Sequence, residues 1–221
     1  MDSRTRPPAP RRLTRRLVQL YTGLVLFGVS MVMVIRSELG NIPWDVLHQG
    51  VARSTGLTLG TVTVAVSLLA LLLWVPLRQR PGLGTVSNAL LVGPVADVTL
   101  LVMPAGLPLP VRVGLLVAGI VLNAVATAAY IGARFGPGPR DGLMTGLVAR
   151  TGRSVRLIRT TLEVAVVALG WALGGVFGAG TILFALTIGP LIHVFLPRVQ
   201  VAQVPAADAP PGGGDPAPCA R

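Results

Sequence analysis

Two polar segments carry most of the side chains in this chain that could do chemistry. The first, Asn41–Gly56, reads NIPWDVLHQGVARSTG, and the second, Gly136–Gly152, reads GPGPRDGLMTGLVARTG. Asp45 and Asp141 occupy the same position in the two segments. A carboxylate near the start of a helix either caps that helix or helps to bind a solute or an ion there. Both interpretations stay open, and they are compatible.

His48 follows Asp45 by three residues, a spacing at which the two side chains could share a proton or a metal ion. Its counterpart in the second segment is Met144, and no third ligand is near. Because zinc normally needs three or four protein ligands, we expect no metal site and no cofactor. The chain also has no H-E-x-x-H, no G-x-S-x-G and no membrane-aspartate motif pair, so we expect no enzyme.

Four ionisable residues lie inside apolar runs, where a charge at the membrane centre costs about 2.5–3.5 kcal/mol. Asp97 and His193 either reach the membrane surface or form an acid and imidazole pair that lines a polar path. Arg159 and Glu163, four residues apart, either pair with each other or attract an anionic solute and carry protons. These four residues are candidates for a substrate or ion path.

Two Gly-Pro pairs, Gly93-Pro94 and Gly189-Pro190, each precede one of those ionisable residues by three positions. They permit a kink or a close helix approach, and their matching placement also makes them candidate hinges. Asn88 either lines the path or joins neighbouring helices by a hydrogen bond. Pro43 and Pro139 are candidate helix starts. The candidate path residues are Asp45, His48, Asn88, Asp97, Asp141, Arg159, Glu163 and His193.

These residues sit in a strongly apolar chain. Of 221 residues, 52% are hydrophobic and 12% are charged, and the mean hydropathy is +0.72. A soluble domain carries about 25% charged residues, so the composition predicts an all-α polytopic membrane protein with the lipid bilayer as its first partner. Six apolar runs are candidate spans: 17–35, 57–77, 85–103, 111–131, 155–176 and 181–196.

Arginine placement predicts the orientation of these spans. Every basic residue is Arg, and with a cytoplasmic N-terminus only Arg36, Arg53 and Arg112 lie outside. The positive-inside rule therefore predicts both termini in the cytoplasm of a multi-pass protein of the bacterial plasma membrane. The same rule explains the net charge of +11, so we expect no nucleic-acid partner.

An internal repeat relates the two polar segments. At a constant offset of 96 residues they align without a gap, and the same offset places Gly82–Pro94 on Gly178–Pro190. Three spans per copy make the second copy enter the membrane from the opposite side, which predicts two inverted repeats. We expect four regions: a cytoplasmic basic segment (1–16), repeat one (17–104), repeat two (111–197) and a disordered cytoplasmic tail (198–221).

Each polar segment is predicted to form a helix of about 11 residues after the first span of its repeat. At 1.5 Å per residue this is roughly 16 Å, half the thickness of a bilayer. In one alternative the helix is amphipathic and lies at the headgroups, with Trp44 as its anchor. In the other it is a re-entrant half-helix that presents free N–H groups to a solute near the midplane. The second arrangement fits one copy in each leaflet.

The segments NIPWDVLHQG with TGLTLGT, LLWVPLRQRPGLGT, YIGARFGPGPRDGLMTGL and FALTIGPL together resemble the YczE-like bacterial integral membrane proteins, relatives of the YitT group. The resemblance extends over roughly residues 17–196, and GPGPRDGLM is its most specific part. It implies a helical protein of the bacterial membrane and no particular substrate or reaction.

Two functions therefore remain in competition. One is a transporter or channel for a small solute that is unknown, with a polar path where the two repeats meet. The other is a non-transporting accessory or scaffold protein for a partner enzyme or sensor. Short six-span proteins often pair, so a homodimer is a further expectation.

Overall fold

A computed structural model describes residues 10–199 of the chain. The predicted tail from residue 200 onward and residues 1–9 of the basic segment lie outside the described part. Within 10–199 the chain is helical, without strands, which confirms the all-α prediction. The helices are α1 (Pro10–Ser37), α2 (Pro43–Thr55), α3 (Leu59–Trp74), α4 (Leu83–Val102), α5 (Leu109–Gly132), α6 (Pro139–Thr151), α7 (Val155–Ala172) and α8 (Ala179–Val199).

Four helices of the described part are long and apolar enough to cross a membrane: α1, α4, α5 and α8. Helices α2 and α3 meet at an angle of 117° and together make a fifth candidate span. Helix α3 has only 16 residues, or about 24 Å, and α7 carries Arg156, Arg159 and Glu163. Six helices thus stand at the six predicted spans, but two of them fall short of an independent span by length or by charge.

The two short helices begin and end as predicted. Pro43 and Pro139 are the first residues of α2 and α6, and Asp45 and Asp141 lie in the first turns. Gly56 and Gly152 end the helices with φ of 74° and 65°. These are left-handed conformations that glycine adopts without strain.

Contacts between the two halves are reciprocal at the offset of 96 residues. The Arg112 side chain donates to the Ser37 and Glu38 carbonyls at 2.7 and 3.0 Å. Arg16, the counterpart of Arg112, donates to the equivalent carbonyls of Ala133 and Arg134 at 3.0 and 3.1 Å. Each arginine therefore caps the first long helix of the other half, where the last carbonyls lack intrahelical partners.

The backbone between the halves repeats this exchange. The Gly84 N–H donates to the Phe135 carbonyl at 2.9 Å, and the equivalent Gly180 N–H donates to Leu39 at 2.8 Å. Helices α1 and α5 pack along each other at the centre, while α2 packs on α7 and α6 packs on α3. A Cβ at Gly170 would lie 2.4 Å from the Leu47 nitrogen, so α7 approaches α2 backbone to backbone. Because each short helix packs against a helix of the other half, the starts of α2 and α6 lie close together.

Candidate functional site

A large cavity of about 550 Å³ lies beside the first turn of α6. It is bounded by the starts of α2 and α6, the end of α5 and the faces of α7 and α8. Its lining combines charged and apolar side chains: Pro43, Trp44, Thr127, Ile131, Arg134, Gly136, Pro137, Arg140, Asp141, Met144, Arg159, Leu162, Glu163, Phe184, Ile188 and Ile192.

A small cavity of about 50 Å³ lies beside the first turn of α2. It is bounded by α1, α2, α3 and α4 and by the start of α6. Its lining residues are Phe27, Met31, Trp44, Asp45, His48, Thr63, Val66, Ser67, Ala70, Asn88, Val92, Tyr130, Gly138, Pro139 and Arg140.

The two cavities are equivalent sites of the two repeats. At the offset of 96 residues, most positions that line one cavity also line the other. The pairs include Met31 and Thr127, Asp45 and Asp141, His48 and Met144, Thr63 and Arg159, Val66 and Leu162, Ser67 and Glu163, Asn88 and Phe184, and Val92 and Ile188. Equivalent positions of the two halves thus line a large and a small cavity within the same molecule.

Trp44 and Arg140 line both cavities and form the wall between them. They are themselves equivalent positions of the repeat, each following the first proline of its short helix. The Arg140 guanidinium carbon lies 5.6 Å from the centre of the Phe27 ring, and its Nε lies 3.9 Å from an Asp141 oxygen. The second distance is too long for a hydrogen bond. Arg140 donates no side-chain hydrogen bond to any residue between 10 and 199.

The two predicted aspartates have different partners. Asp45 is buried, and its Oδ1 lies 3.0 Å from Nδ1 of His48, which is also buried. Asp141 is half-buried and accepts a hydrogen bond of 2.9 Å from the Tyr130 hydroxyl. Each short helix therefore carries in its first turn a carboxyl group that one side-chain partner holds in place.

Arg159 and Glu163 are brought together and line the large cavity. The Arg159 Nε lies 3.0 Å from a Glu163 oxygen. Both are partly exposed, and an exposed pair at this spacing contributes only about 0.3–0.5 kcal/mol. The pair therefore neutralises two charges on the cavity wall without fixing α7 in place.

Asp97 and His193 lie outside both cavities. Asp97, on α4, accepts hydrogen bonds from the Thr58 hydroxyl at 2.6 Å and from the Gly60 N–H at 2.7 Å. It caps the start of α3, where N–H groups lack intrahelical partners. Its counterpart His193 is exposed on α8, among the described residues without a hydrogen-bond partner. The same repeat position thus ties two helices together in one half only.

Replacing Asp97 by Ala is expected to lower the stability of the protein by about 1.5–3 kcal/mol, because two charge-assisted hydrogen bonds at a helix start are lost. The measurement is thermal unfolding in detergent. His193→Ala is the matched control at the equivalent position and should leave the melting temperature unchanged. Equal effects of the two substitutions would contradict the capping role of Asp97.

The two Gly-Pro pairs also differ between the halves, because only the first lies at a close contact between helices. A Cβ at Gly93 would lie 2.4 Å from the Gly60 carbonyl oxygen, so α4 and α3 touch there along their backbones. A Cβ at Gly189 would meet nothing within 4 Å. Pro94 and Pro190 are both exposed. Helix α3 packs along α4, whereas α7 has no comparable contact with α8. The small cavity is narrow because α3 and α4 meet along their backbones, and the large one is wide because α7 and α8 do not.

Several residues of the site were not among the predicted ones. Trp44 was considered only as a membrane anchor, and Arg140, Thr127 and Tyr130 were not singled out. The repeat register contained a signal for two of them, since it pairs Trp44 with Arg140 immediately before the paired aspartates. Thr127 and Tyr130 lie in an apolar helix and give no sequence signal.

The helical fold, the long apolar helices and the polar site between them define an integral, multi-pass membrane protein. A family model described as a family of unknown function (DUF6198) matches residues 14–197. The chain belongs to this family.

Relatives extend over most of the chain. An uncharacterised protein of Haemophilus influenzae is 37% identical over 177 residues, which is 80% of this chain and 81% of the relative. The uncharacterised membrane protein YczE of Bacillus subtilis is 30% identical over 191 residues, 85% of this chain and 88% of the relative. The YczE-like resemblance is confirmed. No solved structure matches the chain significantly.

Proposed function

We propose that this protein is a small-solute transporter in which the two repeats have inverted topology and take turns in opening a cavity. The observation that carries the proposal is the pair of equivalent cavities, one of about 550 Å³ and one of about 50 Å³. In inverted-repeat transporters, access alternates when one repeat rocks or gates against the other around a fixed site; here each repeat would take a conformation like that of the other. An open and a closed copy in one molecule fit one such state.

The membrane arrangement follows from the same proposal. Six helices cross the bilayer, both termini lie in the cytoplasm of a bacterial cell, and α2 and α6 are half-helices whose starts meet inside the protein. Arg134, on the large cavity, and Arg150 would then lie on the cytoplasmic side, as the positive-inside rule favours. The large cavity would therefore open toward the cytoplasm, and the small cavity would be the closed outer site.

The wall between the cavities favours a transporter over an open channel. Trp44 and Arg140 separate the two spaces, and beyond them the Gly60–Gly93 contact closes the small cavity. A solute in the large cavity would reach the other side only after α3 and α4 separate. Irregular polar backbone at membrane depth is tolerated where it lines such a cavity, which also favours the re-entrant interpretation of α2 and α6.

The second candidate is a membrane accessory protein. It predicts no exchange of conformations and no movement of solute. The large cavity has a size typical of small-molecule sites, about 300–1,000 Å³. The accessory protein that would fit this cavity is therefore one that binds a small molecule without transporting it.

Flux from proteoliposomes tests the proposal. Liposomes containing the purified protein are loaded with a mixture of bacterial metabolites and washed, and released compounds are identified by mass spectrometry. We expect one class of compound to leave faster than from protein-free liposomes. Release indistinguishable from that of the protein-free liposomes for the whole mixture would favour the accessory role.

A further inference from the structure

We propose that the large cavity binds a small organic anion with an apolar body, and that Arg140 holds the anionic group. This inference rests on the proposed transport function for its biological role and names the class of solute. The cavity contains three arginines, Arg134, Arg140 and Arg159, against two carboxylates, Asp141 and Glu163, which leaves one positive charge in excess.

Arg140 and Arg134 both make no side-chain hydrogen bond within the described residues, but Arg134 is exposed, whereas Arg140 is half-buried. A guanidinium has five N–H donors in a rigid fork that fits a carboxylate or a phosphate. The neighbouring Asp141 is held by Tyr130 and stays 3.9 Å away from Nε, and no other hydrogen-bond acceptor for this side chain lies within the described residues. A partly buried guanidinium without a hydrogen-bond acceptor is compensated only in part for its lost hydration by the Phe27 ring and the Asp141 charge, and an anion in the cavity would supply the missing acceptor.

Backbone and hydroxyl donors lie beside it. Helix α6 starts at Pro139, and the first backbone hydrogen bond of the helix runs from the Gly142 N–H to the Gly138 carbonyl oxygen at 3.0 Å. The N–H groups of Arg140 and Asp141 precede that bond, and such groups favour anions. Thr127 also lines the cavity at 3% exposure, and its hydroxyl lacks a partner among the described residues. An unpaired buried hydroxyl is an independent sign that a polar ligand belongs there.

The rest of the lining is apolar and sets the body of the ligand. Five side chains from α5, α7 and α8 form this surface: Ile131, Leu162, Phe184, Ile188 and Ile192. Arg159 and Glu163 neutralise each other, so they do not oppose an anion. An inorganic ion would leave this surface and most of the 550 Å³ unused, whereas an aromatic or branched body would fill it.

Calorimetric titration of the purified protein tests the class of ligand with three probes of one shape: naphthalene-2-sulfonate, naphthalene-2-sulfonamide and 2-naphthyltrimethylammonium. Empty micelles are titrated in parallel. We expect the sulfonate to bind at least about tenfold more tightly than either other probe, as charge-assisted hydrogen bonds would provide. Inorganic phosphate should bind at least about tenfold more weakly than the sulfonate. Equal or tighter binding of the sulfonamide, the ammonium compound or phosphate overturns the proposal, as does an absence of sulfonate binding.

Variants assign the site. Arg140→Gln should weaken sulfonate binding at least about tenfold, and Arg140→Lys should restore part of it. Thr127→Val, a substitution of nearly the same shape, should weaken sulfonate binding about threefold. It serves as the test of the site if Arg140→Gln does not fold. Arg153→Gln, which removes one positive charge after α6 but outside the cavity, is the control and should bind as the parent does. Unchanged binding in folded Arg140→Gln, or in Thr127→Val where that variant replaces it, overturns the assignment.

Transport of the two charged probes separates this inference from the proposed function, because neither crosses a lipid bilayer unaided. If the ammonium probe crosses proteoliposomes and the sulfonate does not, transport stands and the anion site falls. If the sulfonate binds with the expected dependence on Arg140 but neither probe crosses, the anion site stands and transport falls. Passage of the sulfonate, lost in Arg140→Gln, supports both.

Discussion

Gly189→Leu is expected to abolish transport while leaving the fold intact. In the present state a side chain at residue 189 meets nothing within 4 Å. When the second repeat closes, Gly189 moves to the position equivalent to Gly93, against α7 at Arg156. Because Arg156 stands where the first repeat has Gly60, the two helices stay apart by the room that its Cβ needs, and Gly189 faces that narrow space. A Leu side chain cannot fit there, since at the equivalent Gly93 even a Cβ approaches within 2.4 Å of a carbonyl oxygen. The large cavity would then stay open permanently.

Spin-label distances measure this without knowledge of the solute. Labels at residues 164 and 186, which are exposed and whose counterparts Leu68 and Leu90 are exposed too, report whether α7 and α8 approach each other. In a Cys219→Ser background, we expect a long and a short distance in the parent and only the long one in Gly189→Leu. Ile182→Phe, at an exposed position of the same helix whose counterpart Val86 is exposed too, is the matched control. A single long distance in both proteins would mean that the repeats do not exchange.

Much of the fold could be predicted because the internal repeat can be detected in the sequence at an offset of 96 residues. Pro43 and Pro139, with Gly56 and Gly152, mark the ends of α2 and α6, since each residue type acts locally on the backbone. The offset of 96 residues also relates the starts of α3 and α7, and of α4 and α8. These features depend on near neighbours in the chain, so composition and spacing are sufficient to find them.

The spans were harder to delimit for a physical reason. Hydropathy counts apolar residues but does not register where a helix ends, and the predicted run 57–77 contains a helix only from Leu59 to Trp74. Trp74 is 2% exposed and donates to the Pro139 carbonyl at 2.9 Å. Helix α3 ends just before Pro76, which lacks the N–H that would continue it. Trp74 holds this end against the start of α6, a contact between residues 65 positions apart that no local pattern contains.

The sequence predicted the carboxylates of the site, Asp45 and Asp141, but not the wall that Trp44 and Arg140 form between the cavities. Asp45 and Asp141 stand out because they repeat, whereas Asp97 and His193 repeat in position but not in role, since the first caps a helix and the second is exposed. The difference between the two cavities has a partial source in residue types, since Gly60 lets α3 touch α4, whereas its counterpart on α7 is Arg156. That source becomes visible only when the structure shows that residue 60 lies at the contact between the two helices.

If the proposed transport function holds, Trp44→Ala is expected to produce an intermittent leak. The indole of Trp44 and the Arg140 side chain divide the two cavities, and removal of the indole joins them into one space. Helices α3 and α4 still close the far end through the Gly60–Gly93 contact. A continuous path therefore forms only when that contact separates, so we expect brief bursts of conductance in planar bilayers and none in the parent protein.

Trp171→Ala is the matched control for this leak, because Trp171 is 67% exposed on α7 and lines neither cavity. Both variants lose an indole, but only one loses part of the wall. Trp44→Leu keeps some of the volume and should give a smaller leak, which guards against a loss of fold as the cause. If Trp44→Ala shows no conductance, or if Trp171→Ala conducts equally, the two cavities do not lie along one solute path. The alternation inferred from their equivalence would then fail as well, since a solute that leaves the large cavity has to pass this wall.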